Sequence, residues 1–149
     1  MLRVSKLTDY ATVVMTCLAV AGEGVLSAQS LAERVRLEVP TVSKLLKQLA
    51  QADLVTSTRG INGGYRLARS PKRITIADIV TAMEGPIGMT QCSAHAGSCG
   101  HEPHCGVRVN WQRINHAIAD ALTRVTLADM LKPPPHRRGT ALPLRVAAA

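Results

Sequence analysis

Three of the four cysteines in this chain lie in one short segment. Residues 92–105 read CSAHAGSCGHEPHC and contain Cys92, Cys99 and Cys105 with three of the five histidines. Thiolates and imidazoles bind soft and borderline metal ions, and thiolates can also be oxidised. The segment has no helical or strand periodicity, so we predict a loop that carries metal or redox chemistry.

Two chemistries other than an iron–sulfur cluster remain open for this segment. Three thiolates and one imidazole, from His95, His101 or His104, are donors that zinc accepts, although no Cys-x-x-Cys pair is present. A thiol switch that joins the first cysteine to either of the others is the second, because cysteines near basic groups oxidise readily. A structural metal and a redox switch are thus both alternatives.

An iron–sulfur cluster fits the segment better. Clusters are held by thiolates, and a nitrogen or oxygen donor can occupy a remaining position. Gly97, Gly100 and Gly106 would let the loop wrap around such a group. The fourth ligand would come from elsewhere, and a weaker donor there would make the site labile, as a sensor requires.

The elements before this loop have the order of a helix-turn-helix. The sequence predicts a first helix over 9–21, a second over 27–35 capped by Ser27, and a third over 40–52 that begins at Pro40. Four residues separate the second and third helices, and the third has a polar and basic outer face. This layout is typical of proteins that place a recognition helix in the major groove of DNA.

A glycine-rich hairpin follows the third helix. Segments 54–59 and 65–69 favour strands, and the residues between them favour a turn. A hairpin in this position is a wing. A fourth helix is predicted over 74–85, and Cys17 in the first helix is predicted to be a buried structural thiol.

The third helix and the wing supply the candidates for DNA contact. Side chains on a helix in the major groove reach base edges, while Lys and Arg neutralise phosphates. An arginine at the wing tip suits the narrow minor groove. The candidates are Thr41, Ser43, Lys44, Lys47, Gln48, Arg59 and Arg66.

The charge distribution agrees with a polyanionic partner at one end of the chain. The net charge is +8, and residues 1–75 carry eleven Lys or Arg against five Asp or Glu. Aromatic residues are only 2% of the chain, which argues against stacking on single strands. No catalytic grouping or phosphate-binding loop appears, so we do not expect an enzyme. A protein-interaction module remains an alternative to a DNA-binding protein.

Apolar residues recur at steps of three and four after the cysteine segment. This pattern predicts a helix with a narrow seam that pairs with a second copy, and packing onto its own domain is the alternative. The seam consists of Val107, Trp111, Ile114, Ile118, Leu122 and Val125. The expected organisation is a DNA-binding domain at 1–85, a cluster loop at 86–106, a dimerisation helix at 107–132 and a flexible tail at 133–149.

The apolar run at 11–21 fits neither a membrane span nor a signal peptide, so we expect a cytoplasmic location. The run is too short to cross a bilayer. Cleavage there, as in a signal peptide, would leave three cysteines, an awkward number in an oxidising compartment. We therefore expect reduced thiols and no membrane partner.

Several motifs together resemble a known family. KLTDYA, PTVSKLLKQLAQADLV, RGINGGYRLAR, the three cysteines, NWQRINHAIADAL and VTLADML resemble the IscR/NsrR-type winged-helix regulators of the Rrf2 superfamily, above all the regulators of the SUF iron–sulfur assembly system. The resemblance implies a mainly α fold with a small β-hairpin and a long C-terminal dimerisation helix. It also implies a homodimeric transcription factor, usually a repressor, with Cys92, Cys99 and Cys105 as cluster ligands.

The fourth ligand is where the sequence departs from part of that family. IscR-type members have a histidine three residues after the last cysteine, and this chain has Arg108. NsrR-type members use an aspartate from the partner's first helix, in a context that resembles LTDYA. The resemblance therefore favours Asp9 in trans over His104 and His101, with a helix-capping or first-turn role as the alternative for Asp9. A 2Fe–2S cluster is favoured over 4Fe–4S.

Overall fold

The chain folds around helix α1. The computed structural model describes residues 3–133, so the predicted tail lies, after its first residue, outside the described part. The elements are α1 Lys6–Ala21, α2 Ala28–Val35, α3 Val39–Gln51, β1 Val55–Thr58, β2 Gly64–Leu67, α4 Ile76–Glu84, α5 Gln91–Ala94, α6 Arg108–Arg124 and α7 Leu127–Met130. This mainly helical fold with an antiparallel hairpin confirms the predicted fold class. None of the helices described between residues 3 and 133 has the length and apolar content needed to cross a bilayer.

The start of α1 was predicted three residues too late. Ser5 is its N-cap, and the Ser5 side chain accepts a hydrogen bond from the Thr8 backbone N–H at 3.2 Å. The apolar stripe used for the prediction begins only after this polar first turn. Val14, Met15 and Leu18 are fully buried and form the centre of the core.

Helices α2 and α3 form the helix-turn-helix. Ser27 caps α2 by accepting from the Ser30 N–H at 3.1 Å, and Arg36 ends α2 in the left-handed conformation with φ 55°. The inner face of α3 is fully buried through Val42, Leu45, Leu46 and Leu49. Burial of leucines of this kind stabilises a fold by about 2–5 kcal/mol each relative to alanine.

The hairpin is anchored to the start of α2. β1 pairs antiparallel with β2 from Val55 opposite Leu67 to Thr58 opposite Gly64. The Leu26 and Tyr65 backbones exchange hydrogen bonds of 3.0 and 2.8 Å, which extends the hairpin by one further pair. A side chain on Gly64 would approach the Leu26 carbonyl oxygen within 2.5 Å, so glycine is required there.

The helix predicted for the C-terminal region is interrupted. α6 ends at Arg124, so Val125 lies outside the helix, and Val107 is its N-cap rather than its first residue. A capping box formed by Thr126 and Asp129 then starts α7. The backbone at Thr126 pairs with that at Thr75, and the fully buried Leu127 returns to the core.

Candidate nucleic-acid interface and cysteine loop

The outer face of α3 is polar and accessible. Ser43, Lys44 and Lys47 are exposed, while Thr41 and Gln48 are half-buried. Because the opposite side of the helix is fixed in the core, these five side chains are held on a rigid element. Such a surface can contact base edges and phosphates.

The hairpin lies beside this face of α3. One open groove is lined by Ser43 and Lys47 from α3 together with Ser57 and Tyr65 from the hairpin. Sequence reasoning placed the helix and wing in order but did not identify Ser57 or Tyr65 as their point of approach. The signal is the hairpin register, because Ser57 lies directly opposite Tyr65 and opposed residues share one face of the hairpin.

The two wing arginines chosen from the sequence are accessible. Arg59 follows β1 at the turn, and Arg66 lies within β2; both are exposed. The turn requires glycine at Gly63, where a Cβ would lie 2.3 Å from the Thr58 carbonyl oxygen. The tight turn thus holds Arg59 at the tip of the hairpin.

The cysteine segment contains more regular structure than the sequence suggested. α5 carries Cys92, and a short 3-10 turn covers Glu102–His104, so the prediction of a segment without helix was wrong. Cys92 is 9% exposed, with its Sγ 3.3 Å from the Thr90 hydroxyl oxygen. Cys99 and Cys105 are half-buried.

The donor types suit a soft metal or an iron–sulfur group, but the donors are not gathered. All four cysteines are free thiols, and His95, His101 and His104 are exposed. Within residues 3–133, no three His, Cys, Asp or Glu side chains come together as a metal site. Binding would therefore require this segment to close around its ligand.

Asp9 belongs to no group of three donors within residues 3–133. It is an exposed carboxylate in the first turn of α1, whose N-cap is Ser5. Of the structural roles considered for Asp9, the first-turn role is therefore the one observed, and it favours the helix electrostatically. Asp9 also borders a groove of about 630 Å³ that Leu122 and Val125 help to line.

The segment around the cysteines is held by side chains from α6. Asn115 is 8% exposed; its Nδ2 donates to the Ile87 carbonyl oxygen and its Oδ1 accepts from the Met89 N–H, both at 3.1 Å. The Arg108 guanidinium forms an ion pair with Glu102 at 2.5 Å. Sequence reasoning missed Asn115, because a polar residue inside a helical pattern gives no sign of what it bonds.

The predicted seam of α6 is only partly covered. Trp111 is 38% exposed and Ile114 is 45% exposed, whereas Ile118 and Leu122 are half-buried. Val107 and Val125, at the two ends of the helix, are also exposed. An apolar strip of this kind on a protein surface is typical of an interaction site.

Known proteins are similar to this chain in sequence and in fold. A family model described as Rrf2, iron-dependent transcriptional regulator, matches residues 4–133. The regulator IscR of Sodalis glossinidius is 28% identical over 131 residues, which are 87% of this chain and 79% of that protein.

Solved structures extend the similarity to the fold. IscR of T. potens is 35% identical with a TM-score of 0.66, over 87% of this chain and 86% of that one. CymR, the global cysteine regulator of B. subtilis, is 34% identical with a TM-score of 0.68, over 87% and 96%. These relatives are transcriptional regulators and not enzymes, which confirms the prediction made from the sequence. The chain belongs to the Rrf2 family of transcriptional regulators.

Proposed function

We propose that this chain is a DNA-binding transcription factor that senses an iron–sulfur cluster and represses iron–sulfur assembly genes of the SUF type. The observation that carries the proposal is the position of the three thiols. Cys92, Cys99 and Cys105 occupy one segment that is bonded to α6, the helix with the exposed apolar seam. The iron-dependent description of the family and the similarity to IscR support it.

DNA contact is assigned to α3 and the hairpin. Thr41, Ser43 and Gln48 would reach base edges, and the basic side chains would neutralise phosphates. Arg59 at the hairpin tip would enter the minor groove. The basic set is Lys44, Lys47, Arg59 and Arg66.

A homodimer would bring two such surfaces onto one operator. The seam of α6 is the proposed interface, because Trp111 and Ile114 remain exposed in the single chain. A two-fold dimer places its recognition helices at a fixed spacing, which matches a near-palindromic site. In this division, 1–85 binds DNA, 86–106 holds the cluster and 107–132 dimerises.

The thiolates of Cys92, Cys99 and Cys105 are the proposed cluster ligands. Asp9 in trans is the favoured fourth donor, ahead of His104 and His101, because it is exposed and borders a groove lined by seam residues. When bound, a cluster of 2Fe–2S or 4Fe–4S type, with 2Fe–2S favoured, would supply iron–thiolate bonds that break on oxidation or iron loss. The cysteine segment would close around the cluster, with its thiols kept reduced in the cytoplasm.

The test compares cluster-loaded and cluster-free protein. Anaerobic reconstitution with ferrous iron and sulfide should give visible absorption bands, lost in Cys92→Ser, Cys99→Ser and Cys105→Ser but kept in the control Cys17→Ser. Asp9→Ala should change the spectrum more than His104→Ala or His101→Ala. DNA titrations of both forms across salt concentrations should differ in affinity. Equal affinities would refute the sensing proposal and leave DNA binding intact.

A thiol redox switch, or a structural zinc site, on the same DNA-binding fold is the second candidate. One observation favours the thiol switch: all four cysteines are free thiols, as expected for a segment that reacts through its thiols. The similarity to CymR, the global cysteine regulator of B. subtilis, also supports this candidate. A colourless protein with one zinc per chain, or a reversible disulfide, would support this candidate.

A further inference from the structure

In the first half of α6, residues 108–115, the inward face is polar, whereas most packed helix faces are apolar. Arg108, Gln112 and Asn115 recur at helical spacing and are half-buried or buried. Trp111 and Ile114 in the same turns are exposed. Buried polar side chains require hydrogen-bond partners, and the region that carries the cysteines supplies them to Asn115 and to one terminal nitrogen of Arg108.

Asn115 bonds the segment that leads into Cys92. Its amide donates to the Ile87 carbonyl oxygen and accepts from the Met89 N–H, so one side chain satisfies two main-chain groups. Both groups lie within five residues of Cys92 along the chain. The side chain is almost completely shielded from solvent, so water cannot readily replace these bonds.

Arg108 reaches the middle of the same segment through Glu102. One Glu102 carboxylate oxygen pairs with Arg108, and the other accepts from the Gly97 N–H at 2.7 Å. The Glu102 side chain is only 9% exposed. The part between Cys92 and Cys99 is thus connected to the first turn of α6.

We propose that Asn115, assisted by the Arg108–Glu102 pair, is a positioning residue that joins the cysteine segment to α6 as one mechanical unit. A change at the loop thiols then alters the outward face of α6 at Trp111 and Ile114. Only the identity of that change, gain or loss of a cluster, rests on the proposed function. The coupling itself is a property of the metal-free protein.

The first experiment measures alkylation of Cys92 in reduced, metal-free protein, with Cys17 as the internal reference. Asn115→Leu leaves the Ile87 and Met89 groups without their partner, so Cys92 should react about tenfold faster or more. Asn115→Asp keeps the acceptor for the Met89 N–H and should be intermediate. His116→Ala, an exposed neighbour on α6, should match the wild type. An unchanged Cys92 rate in Asn115→Leu, or equal acceleration of Cys17 in both Asn115 variants, would overturn the proposal.

The second experiment tests transmission to the outward face. Trp111 is the sole tryptophan, so its emission reports this face directly. Capping Cys99 and Cys105 with N-ethylmaleimide should shift the emission in wild type and His116→Ala, by less in Asn115→Asp, and not at all in Asn115→Leu. A wild-type protein without a shift, or an equal shift in Asn115→Leu, would refute the coupling.

Both measurements exclude iron and sulfide, so they are independent of the proposed function. A chain that never assembles a cluster but shows the graded alkylation and emission results would retain the coupling and lose the sensing proposal. A chain that assembles a cluster but shows the same alkylation rates and emission shifts in all variants would retain the sensing proposal and lose the coupling.

Discussion

Gly88 is the glycine of the cysteine region that the packing requires. A Cβ there would lie 2.4 Å from the Ala94 Cβ and 2.7 Å from its backbone nitrogen, whereas a Cβ on Gly100 would meet no atom within 4 Å. The sequence suggested Gly97, Gly100 and Gly106 as the flexible positions, and of these only Gly97 adopts a positive φ, +79°. A close approach between segments cannot be deduced from spacing along the chain.

Gly88→Ala should therefore displace α5 and Cys92. The expected cost is about 1–3 kcal/mol of local strain, because the neighbouring atoms are the Ala94 backbone and its Cβ, which cannot rotate away. Hydrogen exchange of residues 91–94 should increase, while Gly100→Ala serves as the matched control and should not change it. Equal exchange in both variants would show that the packing of α5 on Gly88 is unimportant.

Glu84 gives the protein a pH dependence at the junction of α1 and α4. The Thr8 hydroxyl and then the Ser5 N–H donate to this carboxylate at 2.5 and 2.9 Å, and they lower the pKa of Glu84 below its ordinary value of 4.5. Since the folded-state pKa is the lower one, the bonds stabilise the fold above pH 4.5 and this contribution is lost as pH falls through the folded pKa.

Glu84→Gln should reduce stability at neutral pH and flatten its decline at acidic pH. Urea unfolding at neutral pH and well below pH 4.5 measures both effects. Glu23→Gln, an exposed carboxylate in the turn after α1, is the control and should keep the wild-type decline. If Glu84→Gln retains the full acid-induced loss, other groups are responsible for it.

At the scale of elements, α3 and the hairpin act as one surface. They share the groove between Lys47 and Tyr65, and Gly64 fixes the hairpin against Leu26. Much of this was predictable, because the capped α2, the buried leucine face of α3 and the glycine-rich turn each have a local signal. The interruption after Arg124 was not predicted, although Thr126 and Asp129 have the spacing of a capping box.

Lys47→Ala should weaken DNA binding about equally on all sequences. Loss of one phosphate contact should reduce the slope of log affinity against log salt by about one. Titration of an operator and of a random duplex at several salt concentrations measures this slope. Arg124→Ala, which removes an exposed positive charge from the end of α6, is the charge-matched control; an equal change in both variants would mean that only net charge matters.

At the scale of the whole molecule, the outward face of α6 is the proposed dimer interface. Ile114→Glu should place a charge in the seam and shift the protein to monomers, so that its affinity for a two-half-site operator falls towards its affinity for a single half-site. Sedimentation at several concentrations, with Trp111 emission as a second observable, measures the shift. His116→Glu lies on the same helix away from the seam and should remain dimeric; a dimeric Ile114→Glu would place the interface elsewhere.

The pairing of Thr75 with Thr126 affects how α6 is attached to the rest of the chain. The Ile76 N–H donates to the Val125 carbonyl oxygen, the Leu127 N–H donates to the Ile74 carbonyl oxygen, and Leu127 plugs the core with no exposed surface. The stretch between α4 and α7 is therefore fixed to the domain at both of its ends, and not by a single connection. Removal of the residues after 85 would leave the core without Leu127, and a rotation of α6 would be transmitted through both hydrogen bonds to residues 74–76 at the start of α4.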